Sequence, residues 1–243
     1  MPALTCPYGT NRRPSLAQAD DRDQSAVGRS ARLARAERAT EDLIMTRDRD
    51  VQAFHDRARG YETGYLGRLH NEIVTRTVDL ALARCPAPHR VLDVGCGTGL
   101  LLRELARRLP GATRLTGIDA AAGMVEQARA RAGDPRLTFV PGAAERLPFG
   151  DAAFDLVIST TSFDHWADQR AGLAECRRVL APGGLFVLTD LCSAWLVPTL
   201  VGTRRDRART PLRATKLLAA AGFRSLAWHR LYAVIIRTVT ASA

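Results

Sequence analysis

After residue 90, short apolar runs alternate with amphipathic helical patterns, and this alternation constrains the fold more than any other feature of the sequence. Five apolar runs bounded by Gly, Pro or Asp occupy Val91–Val94, Leu115–Ile118, Leu137–Val140, Phe154–Ser159 and Leu185–Thr189. Helical patterns lie at Leu100–Leu109, Ala121–Ala132, Asp168–Leu180 and Pro211–Ala221, and two closing strands lie near Leu226–His229 and Ala233–Val239. Strands that alternate with helices favour a parallel sheet covered on both faces. The sequence therefore predicts an α/β fold with a doubly wound, seven-stranded, mostly parallel sheet.

Two amphipathic helices are predicted ahead of the sheet, at Val51–Arg59 and Leu66–Arg84, with Gly60 and Gly64 between them. The chain before them has a different composition.

Residues 1–44 have no apolar periodicity and contain no Trp or Phe, a composition that cannot offset the entropy lost on ordering. We expect residues 1–44 to form a disordered tail and residues 45–243 to form one domain. Met45 directly precedes the first patterned segment, so an early start assignment is one explanation of the tail, and a genuine disordered leader is the other.

Composition bounds the class of protein. The 243 residues are 46% hydrophobic and 25% charged, which is typical of one globular domain that buries a full core. The chain lacks the run of about 18 apolar residues that indicates a transmembrane helix, and its N-terminus lacks the apolar core of a secretory signal. The five cysteines are odd in number and widely spaced, which favours a reducing cytoplasm.

The formal net charge of +10 is concentrated near the C-terminus. Residues 191–243 hold nine basic side chains and one acidic side chain, whereas residues 45–190 hold 19 and 18. Lys216 is the only lysine of the chain, so part of the arginine content reflects a coding bias. The charge alone is weak evidence for a nucleic acid partner, and we do not expect one.

A glycine turn follows the first strand of the sheet. Val91–Gly99 runs from a buried strand through the spacing Gly-x-Gly-x-Gly into a helix, and ligands of open α/β sheets bind at such carboxyl ends. Asp119 stands 20 residues after Gly99, at the end of the next strand, where a carboxylate can accept both hydroxyls of a ribose. The dinucleotide pattern places its third glycine one residue later. A plain strand-to-helix turn is the alternative for the glycines, and Asp119 counts against it.

These features resemble the class I S-adenosylmethionine-dependent methyltransferases, in the branch that includes the ubiquinone and menaquinone biosynthesis methyltransferases. The resemblance covers about residues 50–240. Besides the glycine turn and Asp119, its motifs are Phe54–Glu62, Gly123–Val125, Gly142–Phe149, Phe154–Val157 and Glu175–Gly184. It implies a Rossmann-like fold, S-adenosylmethionine as the cofactor, and transfer of its methyl group to an acceptor.

The resemblance also implies which residues bind the cofactor. They are Tyr61, Asp93, Gly95, Cys96, Gly97, Asp119, Ala120, Met124, Ala144, Glu145 and Thr160. In this assignment the methionine moiety lies against the backbone of Gly95–Gly97, the ribose on Asp119, and the adenine between Ala120 and Met124.

The rest of the assignment concerns the adenine edge and the sulfonium. Ala144 and Glu145 offer backbone groups to the adenine edge, Thr160 lies beneath the sulfonium, and Tyr61 closes the pocket. The branch usually carries an acid where Ala143 stands, so adenine recognition rests on backbone atoms or on Glu145.

Several of these residues also have structural interpretations. Met124 can be core packing, Glu145 can cap a helix or pair with its neighbour, and Cys96 is a small residue tolerated in the turn. Glu175 and Arg178 are interpreted as structural residues that hold their helix in place.

His165 is the candidate catalytic residue. It lies in Ser159–Trp166, the segment after the fourth strand that faces the reactive methyl in this fold, and it can act as a general base for an acceptor that loses a proton. A packing or loop-orienting role is the alternative. The five histidines show no metal-ligand spacing with Cys or carboxylates, so no metal is predicted.

The acceptor is expected to be a small or lipid-like molecule, and the sequence does not indicate an oligomeric state. Arg204, Arg205, Arg207 and Arg209 form a basic loop that can hold an acidic group, a phosphate or an anionic membrane surface. A solvated surface is the alternative for this loop. Two rival classes stay open: a catalytically silent cofactor-binding or regulatory domain on the same fold, and a nicotinamide-dependent oxidoreductase.

Overall fold

The computed structural model describes residues 51–56, 58, 62, 64–112, 114–192, 210–232 and 235–243. All of them belong to the unit Thr46–Ala243. The expected tail at 1–44, Tyr61 and the basic loop at 204–209 lie outside these ranges, so the expectations for them remain predictions. Within the described ranges, no helix has the length and apolar character needed to cross a lipid bilayer.

The described strands form one seven-stranded sheet. They are β1 Arg90–Val94, β2 Arg114–Asp119, β3 Leu137–Pro141, β4 Phe154–Thr160, β5 Leu180–Leu191, β6 Arg224–Tyr232 and β7 Ile236–Ser242. Their spatial order is β3-β2-β1-β4-β5-β7-β6. The first five strands pair in parallel, and β7 runs antiparallel to both of its neighbours. The predicted doubly wound, mostly parallel sheet is confirmed.

Helices connect the strands and cover the sheet. They are α1 Gly64–Arg84, α2 Leu100–Arg108, α3 Ala122–Ala130, α4 Gln169–Val179 and α5 Pro211–Ala220, and residues 51–56 are also helical. Local capping explains where two of them begin. The Asp168 carboxylate accepts hydrogen bonds from the first backbone N–H groups of α4, and the Thr210 hydroxyl does the same for α5.

The start of β5 differs from the prediction. The helix was predicted to run through Leu180 and the strand to begin at Leu185, whereas α4 ends at Val179 and β5 begins at Leu180. Leu180 pairs with Phe154 and Leu185 pairs with Leu156, with a register shift between the two pairs. Gly183, with a φ of 75°, lies inside this irregularity. The Pro-Gly-Gly segment is therefore a bulge within a strand, which local turn signals cannot distinguish from a free turn.

The hydrophobic core lies on both faces of the sheet. Leu92 and Val94 of β1 belong to one cluster of buried side chains, and Val91 belongs to another. In β4, Val157 joins the first cluster and Ile158 the second. Successive side chains of a strand point to opposite faces, so these continuously apolar strands require helices on both sides.

Arg178 braces α4 against the segment that precedes β4. Its guanidinium donates to the carbonyls of Phe149 (2.8 Å) and Leu147 (3.1 Å) and pairs with Glu175 (2.7 Å) and Asp151 (2.8 Å). Glu175 also accepts a hydrogen bond from the Leu147 N–H, at 2.8 Å. This arrangement agrees with the structural interpretation of Glu175 and Arg178, because it fixes the position of the loop that follows β3.

We expect Arg178→Ala to lower the free energy of unfolding by about 1–3 kcal/mol, because two backbone carbonyls and Glu175 lose a charged donor. The measurement is urea unfolding of the native chain and the variant. Arg170→Ala, on the exposed surface of the same helix, is the matched control and should stay within about 0.5 kcal/mol of the native chain. Equal stabilities of the two variants would contradict the bracing role.

Candidate functional site

The carboxyl ends of β1, β2 and β4 meet where the strand order reverses, which is where open α/β sheets bind ligands. A cavity opens there, with an empty volume of about 930 Å³ that includes solvent at its mouth. Except for Tyr61, which lies outside the described residues, every residue that the sequence assigned to the cofactor lines this cavity, and so does His165.

The glycine turn lies at the β1 side of the cavity. Gly95, Gly97 and Gly99 have φ angles of 77°, 51° and 79°, a region that glycine adopts readily and other residues rarely adopt. A Cβ on Gly95 would lie 2.3 Å from the side chain of Ser162. Both the backbone conformation and the available space therefore require glycine at position 95.

The end of β2 holds this turn in place. The carbonyl of Ile118 accepts hydrogen bonds from the N–H groups of Gly95 (2.8 Å) and Cys96 (3.0 Å). The Oδ2 atom of Asp119 accepts from the Gly97 N–H at 2.8 Å. The turn after β1 is thus bonded to the last two residues of β2.

Asp119 keeps capacity to bind a ligand. Its Oδ1 atom accepts from the Ala121 N–H at 2.9 Å, and each carboxylate oxygen has a further lone pair. Burial raises the pKa of Asp119, and the hydrogen bonds from Ala121 and Gly97 oppose that shift. The side chain can therefore accept two hydroxyls from a ribose while it holds the turn.

Asp93 brings a second carboxyl group to the cavity. It is only 2% exposed, and burial together with repulsion from Asp119 raises its pKa to about 8. A nearby cation favours the ionised form of such a group, so this end of the cavity favours a positively charged ligand. Burial and the two carboxylates also raise the pKa of Cys96 well above its ordinary value. Cys96 is therefore a neutral thiol, as its interpretation as a small turn residue requires.

Met124 and Ala120 lie on the β2 side of the cavity. Met124 is 1% exposed and packs in a small cluster with Ala121 and Phe54. The side chain therefore both lines the cavity and contributes to packing, so the two interpretations of Met124 are compatible.

The segment after β3 forms the neighbouring wall. The Gly142 N–H donates to the Asp119 carbonyl at 2.9 Å, and Ala143, Ala144 and Glu145 line the cavity. Oε1 of Glu145 accepts from the N–H of Asp168 at 3.0 Å, so this carboxylate is partly engaged ahead of α4. With alanine at position 143, the backbone of this segment is the main group available to an adenine edge.

The end of β4 presents a buried hydroxyl to the cavity. Thr160 is 6% exposed, and within the described part of the chain its Oγ1 atom has no hydrogen-bond partner. Ser162, two residues later, donates to the Val94 carbonyl (3.0 Å) and accepts from Nε1 of Trp166 (3.2 Å). These bonds fix the segment that follows β4 to the end of β1.

His165 lies in the 3₁₀ turn Phe163–His165 and lines the cavity. Its ring meets that of Phe54 edge to face, with 4.9 Å between the ring centroids. Its charge interactions lower the pKa values of Asp119 and Asp190, although burial keeps both raised, that of Asp190 to about 6. The candidate base is therefore placed beside the carboxylate assigned to the ribose.

The contribution of α1 to the cavity was missed in the sequence. His70 and Val74 line the cavity, and Thr77 on the same helix bonds to Thr189 of β5 at 3.1 Å. Thr189 pairs with Thr160 in the sheet. The spacing i, i+4, i+7 places the three α1 residues on one helix face. That spacing is visible in the sequence, but the part of the sheet that this face covers is not.

Glu62 is a second residue that sequence reasoning missed. Its carboxylate accepts hydrogen bonds from the Thr98 hydroxyl and from Arg103 (2.8 and 3.0 Å), and it pairs with Arg131 at 2.8 Å. Burial raises the pKa of Glu62, but these partners overcome that effect and hold it below its ordinary value. Glu62 thereby joins the chain ahead of α1 to the glycine turn.

Comparison with known proteins identifies the class. The sequence pattern of a methyltransferase domain matches residues 91–184. A malonyl-[acyl-carrier protein] O-methyltransferase of Geobacter sulfurreducens is 37% identical over 188 residues, which are 72% of this chain and 69% of that protein. A demethylmenaquinone methyltransferase of Deinococcus radiodurans is 40% identical over 131 residues, which are 50% of this chain and 54% of that protein. The match thus spans about half the length of this second relative.

A solved structure shows the same fold. A chain in the Haloferax volcanii complex between the Trm112 methyltransferase activator and a methyltransferase is 25% identical, with a TM-score of 0.65. The similarity covers 78% of this chain and 97% of that one.

The fold and the cavity thus define a Rossmann-like methyltransferase. The chain belongs to the class I S-adenosylmethionine-dependent methyltransferases, in the branch of the ubiquinone and menaquinone biosynthesis enzymes. S-adenosylmethionine is the cofactor of this family, and the chain is accordingly an enzyme of that family rather than a nicotinamide-dependent oxidoreductase.

The residues of the cavity fit this cofactor. A Cβ built on Gly97 would meet no atom within 4 Å, so the glycine leaves open space where a ligand can approach the backbone. The Thr160 hydroxyl is buried without a partner in the described chain, and Asp93 and Asp119 complement a ligand that carries positive charge.

We expect Asp119→Ala to weaken S-adenosylmethionine binding by about 1.5–3 kcal/mol for each charged hydrogen bond lost. The measurement is calorimetric titration. Because alanine also removes the acceptors of Gly97 and Ala121, Asp119→Asn, which keeps one acceptor oxygen, is the matched variant and should bind with intermediate affinity. Native affinity in the alanine variant would show that the ribose assignment is wrong.

Asp93→Asn tests the buried carboxyl through the pH dependence of stability. In the unfolded chain an Asp titrates near pH 4, to a rough approximation, whereas Asp93 in the folded chain titrates at about 8. The folded chain holds the extra proton between these values, so Asp93 makes the free energy of unfolding fall as pH rises through this window. In the variant we expect the free energy of unfolding to fall less steeply with pH across this window, by up to about 1.4 kcal/mol per pH unit. The measurement is urea unfolding at a series of pH values.

Asp190→Asn is the control for this prediction. Its carboxyl has a pKa of about 6, so its replacement should alter the slope below that pH and leave the slope above it as in the native chain. If native chain and Asp93→Asn had equal slopes between about pH 6 and 8, the proton would not reside on Asp93.

Proposed function

We propose that this chain transfers the methyl group of S-adenosylmethionine to an uncharged, quinone-like or other lipid-like small molecule by in-line displacement. The observation that carries the proposal is that one cavity joins two surfaces. The glycine turn and Asp119 form the first, and the segment Thr160–His165 with Phe54 forms the second. A cofactor on the first surface and an acceptor on the second would share a single enclosed space.

Methyl transfer requires the chain mainly to align the methyl donor with the acceptor. When bound, the cofactor supplies a methyl group on a positively charged sulfur, which is already activated for displacement. Methylation would form a bond to the acceptor as the carbon–sulfur bond of the cofactor breaks, and the acceptor would release one proton. The chain aligns the two reactants and excludes water, and the proposed role of His165 is to take that proton on its imidazole.

The charge of the cavity disfavours an anionic acceptor. Its described lining contains the carboxyl groups of Asp93, Asp119 and Glu145 and no Lys or Arg. Val51, Phe54 and other apolar residues also line the cavity. A quinone-like ring matches this wall, and the Deinococcus relative is named for a demethylmenaquinone substrate.

A malonyl thioester is the second candidate acceptor, because the Geobacter relative is named for malonyl-[acyl-carrier protein]. Its free carboxylate would need a permanently charged Arg or Lys partner, whereas the described lining offers only the imidazoles of His70 and His165. The basic loop at 204–209 is the candidate source, and it lies outside the described residues.

Formation of S-adenosylhomocysteine, followed by mass spectrometry of the methylated product, tests the proposal. A short-chain demethylmenaquinone analogue should be methylated faster than a malonyl thioester, and the chain should bind S-adenosylmethionine but not NAD. Faster methylation of the thioester would overturn the uncharged-acceptor assignment. Binding of S-adenosylmethionine without turnover of any acceptor would restore the catalytically silent alternative.

We expect His165→Gln to lower turnover of the accepted substrate by about 100-fold, the typical contribution of a general base, while the affinity for S-adenosylmethionine stays unchanged. His89→Gln is the control, because His89 is exposed ahead of β1, at the opposite end of the sheet. An unchanged rate in His165→Gln would leave His165 with the packing role that its contact with Phe54 supports.

A further inference from the structure

His70 is a second imidazole in the cavity, and no step above uses it. It lies on α1, one helical turn before Val74, and both side chains line the cavity. Val74 packs in the same hydrophobic cluster as Cys96 and Leu101. The charge of Glu62, which bonds to Thr98 of the glycine turn, acts on His70, so His70 lies towards the glycine-turn end of the cavity.

His165 lies towards the other end. Its ring contacts Phe54, and Phe54 packs against the cluster of Met124 and Ala121. The two imidazoles therefore line different parts of the cavity, and the role proposed for His165 does not apply to His70.

The glycine-turn end holds one group of each charge type. Asp93 is a carboxyl, and His70 is the side chain at this end, among the described lining residues, that can carry a positive charge. The methionine moiety, which the resemblance assigns to the glycine turn, ends in an ammonium and a carboxylate. Leu100 and Leu101, in the first turn of α2, also line this end, and a helix N-terminus favours a negative charge.

We propose that His70 binds the carboxylate of the cofactor's methionine moiety. The inference rests on the proposed function, because it takes S-adenosylmethionine as the occupant of the cavity.

The protonation of His70 is compatible with this role. Burial lowers the pKa of His70, and the charge of Glu62 opposes the shift. The neutral ring can donate one N–H to a carboxylate, and a bound carboxylate favours the protonated ring, whose hydrogen bond is stronger.

Ligand truncation tests the assignment. S-adenosylhomocysteine carries the whole amino-acid moiety, and 5′-methylthioadenosine lacks both its carboxylate and its ammonium. In calorimetric titration, His70→Leu should bind S-adenosylhomocysteine about 10- to 100-fold more weakly than the native chain does, which is the loss of one charged hydrogen bond. Its affinity for 5′-methylthioadenosine should be that of the native chain.

Two variants make the test specific. His165→Leu removes the other imidazole of the cavity and should leave the ratio of the two affinities unchanged. His70→Gln keeps an N–H donor without the charge, so it should fall between the native chain and His70→Leu for S-adenosylhomocysteine and match the native chain for 5′-methylthioadenosine. His70→Gln also provides the measurement if His70→Leu does not fold.

The outcomes separate the two proposals. If neither ligand binds the native chain, the proposed function is wrong, and this inference is wrong with it. If both ligands bind and the His70 variants weaken both equally, His70 only packs in the cavity wall. If the variants weaken neither ligand, the carboxylate lies elsewhere. Either of the last two results overturns the role of His70 alone.

Discussion

The bonds between the end of β2 and the turn after β1 are the constraint on which the candidate site depends. Val94 and Ile118 are paired in register, so the two strands end side by side. The Ile118 carbonyl and the Asp119 carboxylate then accept hydrogen bonds from three backbone N–H groups of the turn. These hydrogen bonds satisfy N–H groups that have no partner within a regular element. The carboxylate that shapes the turn is also the one offered to a ribose, so structure and binding rest on the same side chain.

Much of this arrangement follows from local sequence patterns. The alternation of strands and helices predicts the sheet, and the Gly-x-Gly-x-Gly spacing with Asp119 predicts its binding edge, because each signal lies within one strand–turn–helix unit. His70 and Glu62 were missed for the opposite reason. Each of them contacts residues of other elements. Glu62, for example, pairs with Arg103 on α2 and with Arg131 just after α3, and the packing of helices on the sheet decides which residues meet. The bulge at Gly183 was missed because a strand pairing across the sheet decides it.

The buried carboxyl groups suit a ligand whose charge changes during the reaction. Asp93 and Asp119 are held in surroundings that raise their pKa values, and such groups cluster at functional sites. In the proposed site a sulfonium would stabilise their ionised forms, and the thioether left after methyl transfer would not. The same two side chains would therefore favour the methylated cofactor over its product.

Cofactor and acceptor would then be recognised by different parts of the chain. The described residues assigned to the cofactor lie at or after the ends of β1 to β4, whose positions the sheet and its two hydrophobic clusters fix. Phe54 and Val51 come from the helical segment ahead of the sheet and pack on it through a small cluster with Met124. A change at Val51 or Phe54 would alter this small cluster, whereas a change at Gly95 or Asp119 would alter the glycine turn itself. We therefore infer that changes in residues 51–56 would alter the acceptor of such a methyltransferase more than its cofactor.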